Sequence, residues 1–354
     1  MAHRPRILVI GPRGLFGCEG GIEKFTDEFI PRVLQHANAD VLCIIKPDCA
    51  LPPGLQIITV PSSKKFKTDK ALYLIYALGC YAARRYDHVF IFGTNFAILV
   101  PFLRAIFWRR AKIHLRSGSI DHIQKKWGGI VGALLKITEK FCRYADTVIA
   151  VSPSIQKHLT RLGINSILVR NGLNRESHKN ALFERTPNTI VAVGRITVPK
   201  NYAVLIEASA LLGAQGPSIS IIGGADLSGE AEKLTALYGK NEHIHFMGVQ
   251  KRDSVMLALR KSSLYVNCSV HEGMSNAVLE AIQQGIPVIL SDIEANRDLG
   301  LNERFYFPPH DGPRLAAKIR EALTAPLDYT VPAAQFEDWD SAIETILKKT
   351  GVAP

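Results

Sequence analysis

Residues 264–292, LYVNCSVHEGMSNAVLEAIQQGIPVILSD, decide the fold. The run at 264–268 is an apolar strand, 269–275 is a loop pivoting on Gly273, and 276–284 is a helix that Gly285 and Pro287 stop before a second strand at 288–291. Strand, loop, helix and strand in that order make one unit of a parallel sheet, since parallel neighbours need a crossover and a helix commonly supplies it. Ser275 or Asn276 can cap the helix, and the backbone N–H groups of Gly273, Met274, Ser275 and Asn276 then point out of its positive end, where a phosphate or a sugar hydroxyl is favoured. Glu272 stands just before that helix and Glu280 one turn inside it. A carboxylate accepts two hydroxyl hydrogen bonds at once, which suits a ribose diol or a pyranose edge. The expected ligand is polyhydroxylated and anionic, although two isolated glutamates would be better read as a solvated helix residue and an ordinary loop acid.

The spacing adds to this. A glutamate, seven residues, a second glutamate, an alanine helix and G-x-P-V-I stand here as Glu272, Gly273, Glu280, Ala281, Gly285, Pro287, Val288 and Ile289, and this resembles the donor-sugar motif of glycosyltransferase family 4. Upstream, after an apolar strand at 189–193, Gly194-Arg195 and Lys200-Asn201 resemble the G-R-x(4)-K-N loop of the same family. Two loop cations would ordinarily be solvated. Arg195 and Lys200, five residues apart at the mouth of a strand, can also neutralise a diphosphate, the guanidinium forking two oxygens and the ammonium acting as a mobile point charge. Gly223 and Gly224, after the strand at 218–222, would let backbone approach the nucleotide, and the loop 247–252 would lie near the base.

The first half starts the same pattern. A strand at 6–10 leads into GPRGLFGCEGG, five glycines ahead of an amphipathic helix at about 22–35; the spacing is not the dinucleotide fingerprint G-x-G-x-x-G. RGLFGCEGGIEKF resembles the opening loop of the family 4 subgroup that includes bacterial rhamnosyltransferases and related polysaccharide enzymes, through Arg13, Gly14, Gly20, Gly21 and Glu23. The resemblance implies that Gly20 and Gly21 face the donor phosphates, whereas Glu23 reads equally as a helix N-terminal acid favoured by the dipole. RSGSIDHIQKKWGG at 116–129 resembles a segment of that subgroup through Asp121, Lys126, Trp127 and Gly128. Where many family members carry a histidine or an acid on the acceptor side, this chain has Ser117, Gly118 and Ser119, so the acceptor-side candidates are Ser119, Asp121 and His122. A lone histidine such as His122 is more often structural than catalytic. ADTVIAVSPSIQKHL, then VRNGLN, resembles the family's end-of-first-domain signature, with Asn171 and Gly172 marking the crossing.

Bulk properties agree with two domains. The 354 residues exceed one ordinary core. The net charge of +11 is uneven: residues 1–170 carry 25 Lys+Arg against 11 Asp+Glu, a balance of +14, and residues 171–354 carry 18 against 21, a balance of −3. The basic residues are interleaved with apolar ones, as in KALYLIYALGCYAARR at 70–85, with no nucleic-acid motif beside them. The expected anionic partner is therefore a membrane surface carrying a lipid-linked substrate, and not nucleic acid. The most hydrophobic window, 89–107, is interrupted by Gly93, Asn95, Pro101 and Arg104 and reads as a buried strand followed by a helix, with peripheral attachment left open. Six cysteines without C-x-x-C spacing suggest reduced thiols in a cytoplasmic compartment, and the N-terminus turns directly into a strand, leaving no room for a signal peptide. No metal set emerges: His271-Glu272 lacks a second histidine at zincin spacing, and His243 with His245 lacks an acid or cysteine partner.

These readings converge on an α/β chain of GT-B architecture, two Rossmann-like doubly wound domains facing a central cleft. Residues 1–172 are the acceptor-side domain, 187–328 the nucleotide-sugar-binding domain, and 329–354 a C-terminal helix packing back across the domains. The resemblance implies a retaining glycosyltransferase that moves a sugar from a nucleotide diphosphate sugar to a saccharide acceptor, lipid-linked, in cell-surface polysaccharide biosynthesis, peripheral on the inner face of the cytoplasmic membrane, without metal or cofactor. Arg195, Lys200 and Glu272 are the catalytic candidates. Gly20, Gly21, Gly223, Gly273, Met274, Ser275, Asn276 and Glu280 join them in binding the donor. The rivals are a nucleotide-sugar 2-epimerase on the same scaffold, and a non-enzymatic binder of nucleic acid or anionic lipid using the basic half.

Overall fold

The computed structural model describes residues 4–62, 69–105, 111–119, 129–174, 184–226 and 228–353. Contacts divide the chain into two compact units, one of Met1–Gly172 with Trp339–Pro354 and one of Leu173–Asp338.

The first unit alternates strands and helices: β1 (Arg6–Ile10), α1 (Gly21–Val33), β2 (Asn38–Cys43), β3 (Leu55–Thr59), α2 (Asp69–Ala83), β4 (His88–Phe92), α3 (Leu99–Ala105), β5 (Lys112–Ser117), α4 (Gly129–Lys140), β6 (Thr147–Ala150), α5 (Pro153–Arg161) and β7 (Ile167–Leu168). All pairings are parallel, in the order β3-β2-β1-β4-β5-β6-β7. The central strands RILVI and HVFIF are apolar at nearly every position because helices cover both faces. Right-handed crossovers put α2 to α5 on one face and α1 on the other.

The second unit repeats the scheme: β8 (Thr189–Val193), α6 (Tyr202–Leu212), β9 (Ser218–Ile222), α7 (Glu230–Tyr238), β10 (Ile244–Gly248), α8 (Arg252–Lys261), β11 (Leu264–Asn267), α9 (Asn276–Gln283), β12 (Val288–Ser291), α10 (Glu294–Arg297), β13 (Tyr306–Phe307) and α11 (Gly312–Thr324). The sheet order is β10-β9-β8-β11-β12-β13, again parallel throughout. Chain order reverses between β8 and β11, so the loops leaving their C-terminal ends flank the position where open α/β sheets bind ligands.

The last helix is α12 (Trp339–Thr350). Residues up to Asp338 stay with the second unit, and α12 joins the first. Its Trp339 ring lies 6.0 Å from Phe25 of α1, in a cluster with Phe29, Phe90 and Phe92. Burying such aromatics dominates the energetics of a small core. Among the described residues, no helix is long and apolar enough to cross a membrane.

Candidate active site

Two glycines shape the loop after β8. Gly194 has φ +147° and Gly223 has φ +153°, conformations that side chains rarely adopt. A Cβ on Gly223 would overlap the Gly194 carbonyl, so the loops after β8 and β9 press together there, tied by Gly194 N–H to Ile222 O at 2.9 Å and Ile196 N–H to Gly224 O at 2.8 Å. The space where a Gly223 side chain would start is filled by protein backbone. A Cβ on Gly194 would stand 2.9 Å from Lys200 Cε, so the lysine side chain folds back over that glycine. Beneath it Tyr202, held neutral by burial, donates its hydroxyl to Gly194 O at 2.9 Å. Asn201 takes the left-handed conformation and donates from Nδ2 to Pro309 O at 2.6 Å, which anchors the end of the loop. Arg195 is exposed at its tip.

The loop after β11 is fixed from below by buried polar groups. Asn296 Nδ2 donates to Asn267 Oδ1 at 3.2 Å and to Ser291 O at 2.8 Å, and Ser291 Oγ donates to Ser269 O at 2.5 Å. Val270 N–H donates to Pro199 O at 2.8 Å and joins this loop to the Lys200 loop. The result is a single cluster. Lys200 Nζ donates to Glu272 Oε1 at 2.5 Å, and Ser269 Oγ donates to the same oxygen at 2.7 Å.

Glu280, on α9, accepts at Oε1 from Arg252 Nη1 at 2.7 Å. Arg252 ends the stretch 247–252 and opens α8, which brings that end of the stretch beside Glu280. Ser275 holds the N-cap position of α9, but its hydroxyl makes no capping bond to a first-turn amide. Gly273 and Ser275 are buried, while Met274 and Asn276 are partly exposed.

The charged side chains of these loops and helices are the Lys200–Glu272 pair, the Arg252–Glu280 pair and the exposed Arg195 on the Lys200 loop. An ammonium carries three N–H donors, of which Lys200 commits one to Glu272. The arrangement can therefore present cationic donors and carboxylate oxygens to the same ligand. Among the described residues, no group of three His, Cys, Asp or Glu could hold a metal ion.

The remaining candidates lie in the first unit. A Cβ on Gly20 would collide with the Glu23 carboxylate, whereas one on Gly21 would meet open space. Glu23 is more than a dipole-favoured acid: it is 4% exposed and accepts from Arg13 N–H at 3.2 Å and Nε at 2.9 Å, closing the glycine loop on itself. Ser119 is half-buried beyond β5; Asp121 and His122 lie outside the described residues, as do Lys126, Trp127 and Gly128.

Sequence reasoning missed Arg252 and Ser269, whose partners are remote in the chain or unmarked by motif, and it missed Arg116. That guanidinium lies 3.7 Å over the Phe25 ring and donates to Asn171, and burial pulls its pKa down to about 9.

Residues 174–335 match the model described as Glycosyl transferases group 1. The match falls within the second unit and contains Arg195, Lys200, Arg252, Glu272 and Glu280. The chain is 24% identical over 247 residues to the amylovoran biosynthesis glycosyltransferase AmsD of Erwinia amylovora, covering 65% of this chain and 67% of that protein. It is 32% identical over 132 residues to the GDP-mannose:cellobiosyl-diphosphopolyprenol alpha-mannosyltransferase of Komagataeibacter xylinus, covering 36% of this chain but only 33% of that protein. Among solved structures, sucrose-phosphate synthase from Thermosynechococcus elongatus superposes with a TM-score of 0.81 at 19% identity over 98% of each chain, a likeness of fold. The second unit is a glycosyl transferases group 1 domain, in a chain of two parallel-sheet α/β units with the GT-B fold, and the protein is an enzyme of the glycosyltransferase class.

Proposed function

We propose that the protein is a retaining glycosyltransferase of family 4 type that moves a hexosyl or deoxyhexosyl unit from a nucleotide diphosphate sugar to a lipid-linked saccharide in cell-surface polysaccharide assembly. The observation that carries this reading is the Lys200–Glu272 contact of 2.5 Å at the β8/β11 switch point, with Arg195 exposed on the same loop. Negative charge grows on the departing diphosphate as the glycosidic C–O bond stretches. Cationic donors already held in place stabilise that charge more in the transition state than in the ground state. Lys200 has two N–H donors beyond the one given to Glu272, and Arg195 supplies a planar fork. Glu272 is the partner for sugar hydroxyls and Glu280 for the ribose, each carboxylate retaining an oxygen not engaged by the cation beside it.

Two relatives support the reading from outside the chain. The Erwinia amylovora protein is named for amylovoran biosynthesis, and the Komagataeibacter xylinus enzyme is named for a nucleotide-sugar donor and a diphosphopolyprenol-linked acceptor. The mechanism needs no divalent cation. The test is turnover of a nucleotide-sugar panel in the presence of EDTA by wild type, Arg195→Ala and Lys200→Ala. A fall in kcat of about 10²-fold or more in each variant is expected, the scale of removing one preorganised donor to a developing charge. Unchanged turnover in both would remove the electrostatic mechanism.

A further inference from the structure

Arg116 stands near the C-terminal end of β5, the end at which open α/β sheets bind ligands. Its guanidinium lies 3.7 Å over the ring of Phe25, on the helix that follows β1, so the side chain reaches toward the place between β1 and β4 where the chain order of this sheet reverses. It is 4% exposed, and the protein leaves its charge unanswered. Nη2 donates to Asn171 Oδ1, Nε is buried without a partner, and among the described residues no carboxylate pairs with any of the three nitrogens. Asp40, as deeply buried in the same sheet, shows the ordinary outcome, with Arg6 and Arg84 both paired to it. A buried charge left alone costs folding free energy unless a counter-ion completes it. Beside Nη1 there is room for one: a Cβ built on Gly118 would stand 3.8 Å from Nη1 and within 4 Å of no other described residue beyond its neighbours in the chain.

We propose that Arg116 recognises an oxyanion on the acceptor, which makes the acceptor class an acidic saccharide, bearing a carboxylate or a phosphate. A guanidinium can meet either group with two parallel N–H donors, and stacking on the Phe25 ring fixes its plane in advance. Ser117, Gly118 and Ser119, which follow it, carry no charge, so Arg116 supplies the charge at this end of β5. Calling the ligand an acceptor rests on the transferase reading; the anion contact itself does not.

The test is calorimetric titration of D-glucuronate, D-glucose 6-phosphate and uncharged D-glucose into the full chain. The parent protein carries Arg195→Ala and Lys200→Ala, which remove the phosphate-binding cations proposed for the second unit. At least one charged sugar is expected to bind about tenfold or more tighter than glucose, and adding Arg116→Met should abolish that advantage. Arg116→Lys, which keeps the charge without the planar fork, should fall between. A preference for glucuronate assigns a carboxylate-bearing acceptor, and a preference for the 6-phosphate a phosphate-bearing one. Because Arg116→Met removes a buried charge that no acid pairs, it should melt at or above the temperature of its parent. The proposal is overturned if neither charged sugar binds better than glucose, or if Arg116→Met binds them as its parent does. It is overturned too if Arg116→Met melts several degrees lower while Arg116→Lys binds as its parent does, the behaviour of a brace. Nucleoside diphosphates titrated into the wild-type chain separate the two readings: no response there, with charged sugars still bound through Arg116, upholds the anion site and counts against the donor site alone.

Discussion

Cutting back the Lys200 side chain probes the geometry on which the donor site stands. Lys200 and Glu272 meet at 2.5 Å with side chains 20% and 15% exposed, so their pair is largely shielded from water. Breaking a fully buried pair from one side costs about 3–5 kcal/mol, and an exposed pair contributes below about 1 kcal/mol. This pair lies between those limits, because Glu272 retains the Ser269 hydroxyl at 2.7 Å. Lys200→Ala should therefore destabilise the second unit by about 2 kcal/mol, which for a unit of this size lowers Tm by about 4–8 °C. Glu272→Ala should cost a similar amount. The informative quantity is the double variant: both truncations together should cost at least about 1 kcal/mol less than their sum, because neither charge is then stranded. Urea or thermal unfolding of the four proteins measures this. Additivity to within about 0.3 kcal/mol would refute the contact.

Further outcomes follow from other parts of the molecule. Gly223→Ala forces a Cβ into the Gly194 carbonyl at a φ of +153°, and should cost about 2–3 kcal/mol by urea unfolding while raising KM for the donor. Arg252→Ala should change stability by less than about 1 kcal/mol, since that side chain is 47% exposed, yet raise donor KM by releasing Glu280 in steady-state kinetics. His114 is buried beside His88, and desolvation pulls its pKa down to about 3. The unfolded chain takes up its proton below about pH 6.5 and the folded chain resists doing so, so this contribution is intact above pH 6.5 and falls with pH beneath it, by about 2 kcal/mol at pH 5. His114→Leu should flatten that acid limb in melts recorded from pH 7 to 5.

The order of strands and helices was legible because most central strands are short apolar runs and most crossover helices are punctuated by glycine or proline. Strands β8 and β9 fall where their apolar runs put them. Strand β2 was less legible: it begins at Asn38, ahead of its apolar run. Asp40 hides that start, a carboxylate 2% exposed that is tolerated inside the sheet because Arg6 at 2.9 Å, Arg84 at 2.6 Å and the Tyr86 hydroxyl at 2.7 Å satisfy it.

In the candidate site the residue types were legible and their pairings were not. Glu280 and Arg252 are 28 residues apart, and Glu272 and Lys200 are 72 apart, so each contact exists only once the fold brings the two segments together. Gly223 shows the same limit from the other side. A glycine after a strand signals a close approach, but only the fold shows that its neighbour there is the Gly194 carbonyl.

The central claim is that Lys200 and its loop bind a diphosphate. A panel of nucleoside diphosphates screened by thermal shift tests it most directly. A ligand at 100 times its Kd adds about 2.7 kcal/mol, or roughly 5–10 °C for a unit of this size, so one base should raise Tm clearly and Lys200→Ala should lose most of that rise. No shift with any base, or a shift that persists undiminished in Lys200→Ala, would contradict the account.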